Sequence, residues 1–129
     1  MRPAPRYDRP DATEYAEPYA AYIGMVPRGE ADVMQVLEGQ IDELARLLAG
    51  VPQSRGDYAY APGKWTLKEV LSHVADSERV FSYRALSIGR GDSNPLPGFD
   101  EKAWTPASGA NQRTVADLVE ELKIGRAHV

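Results

Sequence analysis

His73 is one of two histidines in a chain that has no cysteine. It is the residue here best suited to hold a metal ion or carry a proton near neutral pH. It sits in Pro62-Gly-Lys-Trp-Thr-Leu-Lys-Glu-Val-Leu-Ser-His-Val-Ala-Asp-Ser-Glu-Arg-Val-Phe. A metal site needs three or four ligands, so from spacing alone a lone histidine on a helix flank reads first as a packed boundary residue with a water partner and only second as a ligand. Asp76 follows at i+3, within side-chain reach on a helix. Its carboxylate could accept a hydrogen bond from the second imidazole nitrogen and fix the tautomer that binds a metal. Glu78 falls about 40° from the centre of the apolar stripe on a helical wheel. A carboxylate there must be paired or protonated. It either handles protons beside a metal or forms an ion pair with an arginine of a neighbouring helix, and the ion pair is the simpler expectation. Arg79 and Arg84 read as surface or pairing residues.

Several classes of chemistry are excluded by composition. Without cysteine there are no disulfides, no zinc–thiolate sites and no cysteine nucleophile. The 129 residues fit one domain, and 43% apolar content suffices for one core. A net charge of -4 and a pI near 5.2 argue against a nucleic-acid surface, which would need a basic stripe. No apolar run approaches the ~18 residues of a membrane span. The start Met1-Arg-Pro-Ala-Pro-Arg leads into no apolar signal core, so a cytoplasmic location is expected. Arg90-Gly91-Asp92 matches a cell-adhesion tripeptide, but it falls at a helix end and is taken as coincidence. No phosphate loop, nucleophile elbow or paired-carboxylate pattern is present.

The elements that must position His73 follow from periodicity and end signals. Thr66 is a good N-cap, and Glu69 three residues on completes a capping box. Trp65 before the cap and Val70 at the fourth helical position form the pattern of a hydrophobic staple. The apolar stripe of that helix runs Leu67, Val70, Leu71, Val74, Phe81, Ala85 and Ile88, and it should stop near Gly89 or Gly91. His73 lies about 100° from Val74 on the wheel, with Ser77, Val80 and Arg84 on its flank. Before it, residues 30–49 form a plain amphipathic helix through Val33, Leu37, Ile41, Leu44 and Leu48. Gly50 should supply its left-handed end, and Pro52 prevents continuation. Residues 11–24 carry Tyr15, Tyr19 and Tyr22 at helical spacing, with Pro18 as a kink or first turn; packing is the expected role of the tyrosines. Residues 91–110 hold three prolines and read as a long loop with a short turn at 100–104. Thr114 then caps a helix with Val115, Leu118, Val119 and Leu122 on one face, and Asp117 at the box position. No segment alternates with period two. The expectation is an all-α chain whose amphipathic faces suggest a bundle lacking a member.

The stretch from Tyr60 to Leu86, followed by Gly91-Asp92 and Pro95-Leu-Pro-Gly-Phe-Asp, resembles the DinB-like superfamily, the DinB/YfiT group of candidate metalloenzymes. The resemblance covers roughly residues 11 to 122. It implies a four-helix bundle, often dimeric, with a divalent metal (Zn, Ni or Fe) held by three histidines near one end. The first of these maps onto His73. The other two belong to a last long helix that this sequence does not contain, and His128 is not assigned to replace either. The chain is therefore expected to be a DinB-like bundle lacking its last helix. The tail Ile124-Gly-Arg-Ala-His-Val also resembles a translated reading frame of a common sequencing adapter. The expected organisation is an extended arm over 1–10, a truncated bundle over 11–123 and a non-native tail over 124–129.

For the full-length protein the resemblance implies a metal-dependent thiol S-transferase of the bacillithiol, mycothiol or glutathione type, or else a hydrolase. Its partners would be a small-molecule thiol or electrophile, and a second copy in a homodimer, with neither nucleic acid nor membrane. His73 would be the metal ligand, Asp76 or Glu78 would orient it or move protons, and residues 91–110 would wall the pocket. The chain as it stands is expected to bind no catalytic metal and to be inactive. The alternative is a non-catalytic bundle that binds a small ligand or serves a stress response.

Overall fold

The computed structural model describes residues 9–26 and 32–127. Five α-helices and three short 3₁₀ turns are found there, and no strand among the described residues. The helices are α1 (Ala20–Met25), α2 (Val33–Ala49), α3 (Leu67–Gly89), α4 (Glu101–Ala107) and α5 (Val115–Ala127). The all-α class and the helical-bundle character expected from the sequence both hold. The chain divides into two compact units, Met1–Glu43 and Leu44–Val129, so the boundary falls inside α2.

In the first unit, Pro18 stands in the first turn of the 3₁₀ segment Glu17–Tyr19, which runs into α1. There its missing N–H costs nothing. Most of the arm expected over residues 1–10 lies outside the described residues. Arg9 is tied to the end of α1, donating to the carbonyls of Gly24 (3.1 Å) and Val26. The packing expected of the tyrosines is not found, since Tyr19 and Tyr22 are exposed and only Tyr15 is half-buried. An element of six residues buries no residue of its own, so it offers no face for a stripe to pack on. At the start of α2, Asp32 accepts from the Met34 N–H (2.7 Å) and donates its own N–H to Gln35 (3.1 Å). The expected start at residue 30 lies outside the described residues.

In the second unit, α2 ends without a left-handed glycine. Gly50 is not among the residues with positive φ. The chain turns instead through a Val51 N–H to Leu48 C=O bond of 3.0 Å. The core is the packing of α3 on α5. Leu118 and Leu122 are buried to 0% and 1% exposure, with Val115, Val119, Leu71, Ala75 and Ala110 around them. The expected face of α5 is thus its buried face in full.

The start of α3 is closed by residues near and far. Thr66 and Glu69 exchange both bonds of the capping box (3.1 and 2.8 Å). The Leu67 N–H donates to the Tyr58 carbonyl (3.0 Å) and the Lys68 N–H to the Gly56 carbonyl (3.1 Å). The first three amide donors of the helix are therefore satisfied by the protein itself. Asn111, on the 3₁₀ turn Ala110–Gln112, locks the box from outside: Thr66 Oγ1 is 2.6 Å from its Oδ1, and its Nδ2 donates to Glu69 Oε1 (3.1 Å). Gly56 is buried, and a Cβ there would stand 2.6 Å from Lys68 Cε and 3.1 Å from both Gln53 O and Val115 Cγ2, so the position favours glycine. The buried Lys68 ammonium pairs with Asp57 at 3.1 Å. Gln53 accepts from the Val115 N–H (3.1 Å), capping α5 across 62 residues.

The far end of α3 shows why the Arg90-Gly91-Asp92 tripeptide is there. Gly91 has φ +75°; its N–H donates to Ile88 C=O (2.9 Å) and the Asp92 N–H to Ser87 C=O (3.0 Å). This is a Schellman ending, which favours glycine at that position. The backbone N–H of Asn94 donates to the Asp92 carboxylate, as do the Ser87 hydroxyl and the Asn94 amide, and together they hold it below the ordinary carboxylate range. The expected loop over 91–110 is more ordered than predicted. Asp100 caps α4 by accepting from Lys102 and Ala103 (3.1 and 3.2 Å), and Pro106 is tolerated in a helix only seven residues long.

The predicted burial of the α3 stripe needs correction. Val70, Phe81 and Ile88 are 42%, 60% and 67% exposed, and Ala85 is exposed too. The buried positions are Lys68, Leu71, Ser72, Ala75 and Ser87. The buried face of α3 thus mixes Leu71 with the small residues Ser72, Ala75 and Ser87. The large apolar residues lie roughly a third of a turn round the helix, on another face.

Candidate functional site

His73 stands on α3 between these two faces, half-buried. Its ring packs on Trp65, with centroids 5.0 Å apart and planes tilted by 47°. Trp65 can reach it because the capping box fixes the entry angle of the chain just before the helix. The expected staple partner of Trp65 was Val70; the two line one cleft, while the indole ring lies against His73. Among the described residues no hydrogen-bond donor or acceptor engages the His73 ring. Both nitrogens are thus available to a ligand from outside.

The two carboxylates considered beside His73 are engaged elsewhere. Asp76 lies 3.6 Å from Arg79 on the next turn and forms no bond to His73. Glu78 takes the ion-pair role. Arg126 of α5 grips it with both ends of the guanidinium, the Nε–Oε2 distance being 3.1 Å. Arg126 belongs to the tail set aside as non-native, yet in this chain it continues α5. A second ionic cluster was not foreseen. Glu121 accepts from Arg79 (2.6 Å) and from Arg113. Burial, the largest single influence on Glu121, opposes its ionisation, but the bonds from Arg113 and Arg79 outweigh it and hold the carboxyl below its ordinary value. The pattern of charges i, i+4 and i+8 at Arg113, Asp117 and Glu121 was the available signal; the partner on α3 was not readable.

A metal centre does not fit the described residues by themselves. No group of three or more His, Cys, Asp or Glu side chains able to hold an ion occurs among them. His128 lies outside the described residues. Arg84, on the His73 flank, donates instead to the Pro97 carbonyl (2.8 Å). That bond ties α3 to the segment expected to wall the pocket, where Leu96, Phe99 and Trp104 line a small hollow of about 130 Å³ with Val80 and Tyr83.

Known proteins are similar to this chain in sequence. The sequence profile of the DinB superfamily matches residues 36–129. A Bacillus mycoides protein named "Putative metal-dependent hydrolase" is 31% identical over 85 residues, covering 64% of this chain and 49% of that protein. The Bacillus subtilis protein named "Putative metal-dependent hydrolase YfiT" is 33% identical over 73 residues, covering 56% of this chain and 40% of its own length. An Oceanobacillus iheyensis protein of the same description is 33% identical over 70 residues, or 50% and 40% of the two chains. The chain thus spans about half the length of the curated relatives it matches. No solved structure matches it significantly. No helix among the described residues is long and apolar enough to cross a membrane.

Proposed function

The chain belongs to the DinB superfamily, and from that premise we propose that it contributes one arm of a metal-dependent centre, with His73 as its imidazole ligand. One observation carries this reading. The ring packs against Trp65, and among the described residues no protein group hydrogen-bonds either nitrogen, so at this half-exposed position both remain open to solvent or to a ligand. The remaining ligands come from outside the described residues, because Asp76 and Glu78 are committed to arginines. The Glu78 pair joins α3 to α5, while the Asp76 contact stays within α3.

The activity of the full-length protein is proposed as a thiol S-transferase of the bacillithiol, mycothiol or glutathione type, acting in the cytoplasm as a homodimer. These 129 residues contain no cysteine, which is compatible with a sulfur nucleophile that arrives as a small molecule. Hydrolysis is the second reading, favoured by the names of the relatives. In either case Zn, Ni or Fe would be the resident ion.

The test is to extend the reading frame in the source DNA, purify the longer protein, and measure bound metal per chain by mass spectrometry. About one ion per chain is expected, and His73→Ala should abolish it. Retention of the full metal complement by His73→Ala would remove His73 from the site. Tight, stoichiometric Zn or Ni binding by the 129-residue chain would contradict the need for outside ligands. Thiol conjugation against ester or amide hydrolysis by the loaded protein then separates transferase from hydrolase.

A further inference from the structure

Trp65 also lines a cleft of about 650 Å³, within the range of small-molecule sites. Its walls are Tyr60, Trp65, Val70 and Pro106, and its cationic rim is Lys64 and Lys102. The rim is held in place by a tight turn. Pro62 and Gly63 occupy its centre, Gly63 has φ +74°, and the Lys64 N–H donates to the Ala61 carbonyl at 3.2 Å. That is the type II geometry for which Pro-Gly is suited. It sets Lys64 over the Tyr60 ring, with Nζ 5.9 Å from the centroid.

The charge in the cleft runs against the rest of the chain. The protein carries 19 acidic and 15 basic residues, yet the cleft has two lysines and one acid. That acid, Glu69, is held by the capping box and its neighbour: Oε2 accepts from the Thr66 N–H (2.8 Å) and Oε1 from Asn111 (3.1 Å). Among the described residues neither Lys64 nor Lys102 is paired with a carboxylate. The helix start beside them offers nothing further, since the first amide donors of α3 are already used. The recognition of charge therefore falls to the two ammonium groups. Aromatic and apolar walls suit a flat organic body.

We propose that this cleft binds a small organic carboxylate with an aromatic or otherwise flat apolar body, the carboxylate between Lys64 and Lys102 and the body against Trp65 and Tyr60. The proposal stands on the cleft alone and does not require the metal reading. It makes Trp65 a shared wall between the bound molecule and His73.

The test uses 2-naphthoate and its neutral counterpart 2-naphthalenemethanol, titrated into the metal-free chain in chelator and followed by backbone amide shifts. Naphthoate should move resonances of residues 60–70 and 102–106. Lys64→Glu combined with Lys102→Glu should weaken naphthoate about tenfold, the size expected for two partly exposed ion pairs. Binding of the alcohol should change less than twofold. Equal binding of acid and alcohol, unchanged naphthoate affinity in the charge-reversed chain, or shifts confined to other segments would each overturn the proposal. Because no metal is present, failure here leaves the role of His73 to its own experiment.

Discussion

Two faces of the same helix behave differently. The inner face of α3, through Leu71, Ser72 and Ala75, is buried, and α3 packs chiefly on α5. The outer face, through Val70, Phe81 and Ile88, carries more apolar bulk and remains exposed. Hydrophobic periodicity finds the bulky stripe, because it weighs residues by size and polarity. Close helix packing selects instead for small side chains that let backbones approach. A strong stripe therefore marks a face that is apolar, not the face that is covered. His73 lies between the two, half-buried, where a side chain can be held by the protein and still meet something from outside.

The largest expected effect puts that difference to the test directly. Leu118→Ala on α5 should cost about 3–5 kcal/mol, since it removes a fully buried side chain and leaves a cavity. Phe81→Ala removes a larger side chain, yet at 60% exposure it should cost less than about 1 kcal/mol. Urea denaturation of the two variants gives the comparison. Equal losses would mean that the outer face is covered in solution, which a second copy of the chain would do, and sedimentation would then show a dimer that Phe81→Ala weakens.

How much of this was legible depended on distance along the chain. The capping box at Thr66 and Glu69, the end of α3 near Gly91 and the whole buried face of α5 rest on local signals within four residues, and they were readable. The closure of α3 by Gly56, Tyr58 and Asn111 and of α5 by Gln53 was not, because those bonds join residues up to 62 positions apart. The same holds for the site. His73 is singled out by residue type, but its contact with Trp65 runs between a residue before the helix and one two turns inside it. Glu78 was read as paired with an arginine on another helix, which is what the structure shows; that the arginine is Arg126 needed the packing of α5. Asp76 looked suited to His73 on spacing alone, but Arg79, equally spaced from it, offers a permanent charge and takes the contact.

An effect of intermediate size belongs to the ionic cluster that joins the inner face to its partner. The carboxyl of Glu121 is held below its ordinary value of 4.5 by Arg113 and Arg79 against the opposing effect of burial. A carboxylate with a depressed folded-state pKa stabilises the fold at pH above its unfolded value. That contribution is lost as pH falls through the folded value. Arg113→Met should therefore cost about 1 kcal/mol near pH 7 for this partly exposed cluster. The gap between variant and parent should close as the pH is lowered below 4.5. Thermal unfolding of both chains from pH 7 to pH 3 measures it, and a gap that widens on acidification would rule out Glu121 as the source.

The smallest effect should have the opposite sign, and it concerns how completely the inner side of the molecule is satisfied. Thr105 in α4 is 1% exposed, and among the described residues its hydroxyl is buried without a hydrogen-bond partner. An unpaired hydroxyl in the interior carries its desolvation cost with no return. Valine has nearly the same shape and no polar atom to desolvate. Thr105→Val should leave stability unchanged or raise it by up to about 1 kcal/mol, read from the midpoint of urea denaturation. A clear loss would mean that the hydroxyl has a partner in solution, a buried water being the natural candidate. The inner side would then be less tightly closed at α4 than at α5. A gain would place α4 with α5, as part of a packed interior that tolerates apolar substitution of the right shape while the outer face of α3 is indifferent to it.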